Sequence, residues 1–164
     1  MPELSKRVGE FTDSVIRRMT RISDATPGSI NLSQGFPDFD PPQVLLDALR
    51  EMAGGGEQHQ YSVTYGSENL RRCIAEKYSP IHGYEIDPET QVVVTCGGTE
   101  AMMAAMMTVC NPGDKVIVFS PFYENYGADA ILSGAEPIYV PLVPPTFNYD
   151  SKVLEDALRQ HPTA

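Results

Sequence analysis

The stretch Gln91-Val92-Val93-Val94-Thr95-Cys96-Gly97-Gly98-Thr99-Glu100-Ala101 decides the fold class. Three valines and a threonine suit a short strand, two glycines stop it, and Thr99-Glu100-Ala101 opens a helix at once. A strand that passes directly into a helix presents the N–H groups of the first helical turn and the positive end of the helix dipole. Glycines there let the backbone approach an anion closely. The Thr99 hydroxyl is expected at the helix N-cap. The same order of residues also occurs wherever a chain simply turns between a strand and a helix, and both readings stand at this point. The two glycines do not match a dinucleotide fingerprint, which needs three at wider spacing, and no Gly-Lys-Ser or Gly-Lys-Thr follows to suit a nucleoside triphosphate. A mononucleotide-like phosphate or the monophosphate of a cofactor is the anion left.

Downstream, Lys115 to Phe119 and Pro137 to Val140 repeat the strand pattern of Val92 to Thr95. Helical stretches at Glu100 to Cys110 and Glu124 to Ser133 separate the three, with Asn111-Pro112-Gly113-Asp114 as a turn. Strand and helix alternating at this spacing predict βαβ units and a parallel sheet. Met102, Met103, Met106 and Met107 are expected to pack a core face of the helix after the glycines. Upstream, Phe11, Val15, Met19 and Ile22 predict an amphipathic helix over 11–25, ended by Thr26-Pro27-Gly28. Ile30 begins a short strand that dissolves into a Gly/Pro loop. Pro41 and Pro42 then open a helix running to about Ala53, which Gly54-Gly55-Gly56 ends. A polar loop from Glu57 to Ser67 carries Tyr61 and Tyr65, and Leu70, Cys73, Ile74 and Tyr78 mark a helix over 68–80.

The 164 residues suffice for one domain with a substantial core. Twenty-two acidic against twelve basic residues give a net charge of −10, and basic residues cluster only at Arg17, Arg18 and Arg21, read as a solvated helix face; nucleic acid is disfavoured. Cys73, Cys96 and Cys110 show no Cys-x-x-Cys spacing, and His59, His82 and His161 stand apart, which argues against a disulfide framework and a metal site. No segment reads as a signal peptide or a membrane span, and a reducing cytoplasm is the expected location.

Ligands of open α/β sheets bind beyond the carboxyl ends of strands. Two such ends carry matching chemistry: Gly97-Gly98-Thr99, and Ser120-Pro121-Phe122-Tyr123-Glu124-Asn125-Tyr126, where an aromatic side chain could stack on a flat ring. Together with Ile30-Asn31-Leu32-Ser33-Gln34-Gly35-Phe36-Pro37-Asp38-Phe39, Tyr61 and Asn111-Pro112-Gly113-Asp114, they make the chain resemble the N-terminal part of a class I/II aminotransferase, a fold type I pyridoxal-phosphate enzyme. The Asn31 to Phe39 segment is most similar to the kynurenine, glutamine and methionine aminotransferase branch, which includes cysteine-conjugate β-lyase activity. The resemblance implies a three-layer α/β/α fold with a mainly parallel sheet, present here incompletely. Residues 1–40 would form an N-terminal arm and small-domain segment, and 41–164 the first part of the large pyridoxal-phosphate-binding domain.

By the same resemblance, Gly98 and Thr99 hold the cofactor phosphate and Gly97 shapes the turn, while Tyr123 stacks on the pyridine ring. Tyr61 reaches across a homodimer interface to the partner's phosphate, and Gly35 lies beside the substrate carboxylate. The implied substrates are an amino acid and a 2-oxo acid. Lys6, Lys77, Lys115 and Lys152 are the lysines present, and none matches the family's Schiff-base lysine. The acidic partner of the pyridine nitrogen, the asparagine and tyrosine on the ring oxygen and the carboxylate-binding arginine are also unmatched. The expectation is an N-terminal fragment, ending at His161-Pro162-Thr163-Ala164, inactive alone and exposing apolar surface. A β-lyase on the same scaffold and a non-catalytic phosphate-binding module are the alternatives.

Overall fold

The computed structural model describes residues 3–11, 13–56 and 59–161, so the expectations for Thr12, Glu57 and Pro162 to Ala164 lie outside the described residues. The chain forms two compact units, Met1–Arg18 with Cys96–Ala164, and Met19–Thr95.

The first unit is built on a three-stranded sheet in the order β1-β2-β3, with β1 Lys115–Ser120, β2 Glu136–Val143 and β3 Asn148–Tyr149. Strands β1 and β2 run parallel in the register Lys115↔Glu136 to Ser120↔Pro141, whereas β3 returns antiparallel along Leu142 and Val143. A parallel pair needs a crossover, and α5 (Asn125–Leu132) supplies it. Val118 and Val140 of the strands are buried together with Ala130 and Ile131 of α5 and Ala135 beyond it. Lys115 pairs with Glu136 at the start of the ladder, and that ion pair holds the Glu136 carboxyl below its usual range. The turns entering the two strands are tied together. Asp114 closes the Asn111-Pro112-Gly113 turn through the Asn111 N–H at 2.7 Å, and the Gly113 N–H donates to the Gly134 carbonyl at 2.9 Å. Gly134 takes φ +87°, which side chains rarely adopt, and a Cβ there would press on Pro112 Cα at 3.3 Å. Helix α4 (Gly97–Val109) precedes β1 and packs on α5, and α6 (Ser151–Gln160) starts where the Asp150 carboxylate accepts the Lys152 N–H at 2.8 Å.

The second unit carries α2 (Gln43–Ala53) and α3 (Glu68–His82). Ser67 caps α3 by accepting the Leu70 N–H, and Gly83 ends it in the left-handed region at φ 74°. Arg71 is buried and satisfied: its guanidinium donates to the carbonyls of Gly66 at 3.1 Å and Pro88 at 2.6 Å and pairs with Glu89. Helix α1 (Val15–Asp24) starts four residues later than expected, where the Ser14 hydroxyl accepts the Arg17 N–H at 3.2 Å.

Two expected strands do not form among the described residues. At Ile30 the chain takes an Asx turn instead, in which the Asn31 carboxamide oxygen accepts the Ser33 N–H at 2.9 Å and its hydroxyl at 2.6 Å. Val92 to Thr95 is extended, with Val92 buried and Val93 exposed, but it has no strand ladder; the Val94 N–H is taken by the loop carbonyl of Tyr65 at 2.9 Å. Its valines favour extension, whereas a strand also requires a neighbouring strand.

The methionine expectation is corrected in degree. Met102, Met103 and Met106 are half-buried, Met107 is exposed, and no residue of α1, α2, α4 or α6 is fully buried. Large apolar side chains stay exposed, Ile30, Leu32, Phe39 and Val44 among them.

Asp129 lies on the inner side of α5, 5% exposed, and its Oδ2 has no hydrogen-bond partner among the described residues. Burial pushes its carboxyl above the usual range. A carboxyl whose folded pKa is raised binds its proton more tightly when folded, so its cost appears as pH rises from about 4 through the folded pKa and persists above it. Asp129→Ala is therefore expected to stabilise the protein by about 1–3 kcal/mol at pH ~8, with the gain shrinking toward pH ~4. Urea titrations of both proteins at the two pH values check this, and a variant less stable at the higher pH contradicts it.

Candidate functional site

The Gly97-Gly98-Thr99 turn enters α4 through Gly97 at φ +83°, a left-handed conformation that disfavours side chains. Because Gly97 turns the chain early, Cys96 is the N-cap and Thr99 is the third helical residue, not the cap expected from sequence. A helix leaves the N–H groups of its first turn without intrahelical acceptors, which exposes those of Gly98 and Thr99 at the positive end of the dipole. A Cβ placed on Gly97 or Gly98 would meet nothing within 4 Å, so the turn is an open cradle. Glu100 accepts the Cys96 N–H.

The second turn leaves the carboxyl end of β1 and carries Phe122, Tyr123 and Glu124 into α5. Phe122 stacks on Tyr139 with centroids 5.1 Å apart and planes at 13°, which anchors the turn on β2. Tyr123 meets Tyr126 edge-on at 5.8 Å and 73°, and at 51% exposure keeps a ring face open. It stands between two hollows. One, of about 570 Å³, is walled by Phe11, Val15, Ile16, Phe122 and Tyr139; the other, of about 510 Å³, runs along β1 beside Met102, Met106 and Tyr126. Glu124 accepts the Val15 N–H at 3.2 Å and so holds the first turn of α1 beside the larger hollow.

A hydrogen bond joins the two turns: the Asn125 Nδ2 donates to Thr99 Oγ1 at 3.2 Å. The structure thus brings Gly97, Gly98, Thr99 and Tyr123 into one unit. The link through Asn125 was missed by sequence reasoning; the available signal was an amide residue at a helix start within the aromatic turn.

Gly35 and Tyr61 belong to the second unit. The loop before Gly35 is held to α1, where Thr20 Oγ1 lies 3.3 Å from Ser33 Oγ and bonds Gln34 at 3.4 Å, and the space where a Gly35 side chain would stand is empty. Tyr61 is fully exposed, whereas Tyr65 is fixed through its carbonyl to Val94. Of the lysines, Lys115 opens β1, at the end of the strand opposite the aromatic turn, with its ammonium on Glu136; Lys77 lies over the Tyr78 ring at 5.7 Å. The described residues hold no His, Cys, Asp and Glu group fit for a metal, the cysteines are free thiols, and no helix is long and apolar enough to cross a membrane.

Comparison with known proteins adds to this geometry. The family model for aminotransferase class I and II matches residues 27–164. The chain belongs to that family. The chain is 41% identical over 122 residues to the methionine aminotransferase of Escherichia coli, covering 74% of itself and 31% of that relative. It is 36% identical over 116 residues to human kynurenine–oxoglutarate transaminase 1, covering 70% and 28%. It superposes on the solved N-succinyldiaminopimelate aminotransferase of Mycobacterium tuberculosis with a TM-score of 0.84 at 37% identity, covering 94% of itself and 40% of that structure. Its architecture is thus the α/β fold of these enzymes, and it spans about a third of the length of the curated relatives it matches.

The loop that carries Tyr61 and Tyr65 touches Val94 at Gly66. Gly66 has φ +97°, and a Cβ there would stand 2.6 Å from Val94 Cβ. Gly66→Ala is expected to cost about 1–3 kcal/mol through strain and overlap. Amide hydrogen exchange at Val94 should accelerate more than at Gly83, whose bond caps α3. Equal protection in variant and parent would show that the contact carries no weight.

Proposed function

We propose that the complete protein transfers an amino group from an amino acid to a 2-oxo acid with pyridoxal 5'-phosphate as cofactor. The observation that carries this reading is the pair of turns in one unit, an open anion cradle at the start of α4 and a half-exposed aromatic ring beyond β1, bridged by Asn125 and Thr99. Family membership supports it. When bound, the cofactor acts as an electron sink for the bonds at the amino-acid α-carbon.

The residues of this chain bind and orient. Gly98 and Thr99 hold the phosphate through N–H groups and the Thr99 hydroxyl, in the space that Gly97 and Gly98 leave open. Tyr123 stacks on the pyridine ring, with Tyr126 against it edge-on. Gly35 leaves room for the substrate carboxylate, and Tyr61, bare in this chain, reaches the phosphate of a second copy in a homodimer. None of Lys6, Lys77, Lys115 and Lys152 matches the family's Schiff-base lysine, and the 164 residues alone are read as inactive. Residues 1–40 are read as arm and small domain, and 41–164 as the start of the large domain. A cytoplasmic location is part of this reading, with Cys73, Cys96 and Cys110 as free thiols in its support.

The test is visible absorption of the complete protein with pyridoxal phosphate, followed through additions of a panel of amino acids and then 2-oxo acids. Amino acids should bleach the cofactor band and 2-oxo acids restore it. Bound cofactor that exchanges no amino group with any pair would overturn the reading. Tyr123→Phe should bind the cofactor within about threefold of the parent and Tyr123→Ala about tenfold more weakly, since stacking contributes on the order of 1 kcal/mol. Equal affinities for the two variants would remove Tyr123 from the ring site.

A further inference from the structure

Resting on the cofactor reading above, we propose that Asn125 is a positioning residue that aims the Thr99 hydroxyl proton at the phosphate. A threonine hydroxyl on a helix has a default use for its proton, donation to the carbonyl four residues earlier. Helix α4 shows that default at its other end, where Thr108 Oγ1 donates to the Ala104 carbonyl at 2.7 Å. Ser79, Ser133 and Thr26 do the same with Ala75, Asp129 and Ile22. Thr99 is different: its oxygen accepts the Asn125 amide N–H at 3.2 Å.

A hydroxyl has one proton and two lone pairs, and an amide N–H that fills one lone pair cannot take the proton. The proton is left for an acceptor on the open side of the turn, and a phosphate dianion only accepts. The bond crosses twenty-six residues of chain, from the first residue of α5 to the first turn of α4. Asn125 is fixed in turn: it is half-buried and lies in the turn that the Tyr126 N–H closes by donating to the Tyr123 carbonyl at 3.0 Å. The same bond sets the spacing between the residue that grips the phosphate and the one that faces the ring.

The test uses the complete protein, with pyridoxal phosphate and pyridoxal, which lacks the phosphate, as probes in equilibrium dialysis near neutral pH. Thr99→Val should weaken pyridoxal phosphate about tenfold and leave pyridoxal unchanged, and Asn125→Ala should weaken it about three- to tenfold with the same selectivity. Asn125→Asp should be worse than Asn125→Ala, because its carboxylate captures the proton that the phosphate needs. In the Thr99→Val background Asn125→Ala should have no further effect, and Asn125→Asp only what charge repulsion leaves. The inference is overturned if Asn125→Ala keeps its full effect without the Thr99 hydroxyl, if it weakens pyridoxal equally, or if Asn125→Asp binds like the parent. Failure of Thr99→Val to discriminate the two probes would instead overturn the phosphate reading itself, and this inference with it.

Discussion

The parallel pairing of β1 with β2 is the constraint on which the rest of the first unit depends. Parallel strands cannot be joined by a tight turn, so the chain must leave the carboxyl end of β1, cross through α5 and re-enter at the other end. That path forces Phe122, Tyr123 and Glu124 to the end of the sheet where ligands of open α/β folds gather, and it starts α5 beside the start of α4. The small buried cluster of Val118, Val140, Ala130 and Ile131 holds crossover and strands together. The placement of the phosphate cradle relative to the ring-facing tyrosine is therefore a product of sheet topology, refined by one amide-to-hydroxyl bond.

Stability is unevenly spread over this scaffold. Few side chains are fully removed from water, and several helices present their apolar stripes outward, so the hydrophobic contribution of α1, α2 and α6 is largely unrealised in the chain as it stands. Polar contacts with several partners do more than their usual share. Arg71 is the clearest case: its guanidinium closes the loop between Gly66 and Pro88 with donors to both carbonyls, and removing it would leave those acceptors bare. Asp129 is the opposite case, a buried carboxyl whose Oδ2 answers to no donor among the described residues.

What the sequence made legible was local. The start of α3 after Ser67, the end of α2 at Gly54 and the Asn111-Pro112-Gly113-Asp114 turn before β1 were readable because each signal lies within a few residues of its effect, whereas α3 runs past Pro80 to His82 before Gly83 ends it. Val92 to Thr95 and Ile30 misled because a strand is a relation between distant segments, and side-chain preference alone cannot provide the neighbour. Thr99 was displaced from cap to third residue by the left-handed Gly97, a backbone choice that sequence spacing does not reveal. Within the candidate site, glycines and tyrosine could be named from their motif, but Asn125 became visible only once folding set it against Thr99.

The tie between the Gly113 and Gly134 turns bears on how this chain can vary. The two connections that feed β1 and β2 are bound to each other by backbone, with Pro112 against the space a side chain at Gly134 would need. An inserted or deleted residue in either is expected to break this backbone bond unless the other connection shifts with it. Diversification by insertion is left to segments such as 144–147, at the far end of β2, where lengthening would leave both the ladder and the crossover untouched.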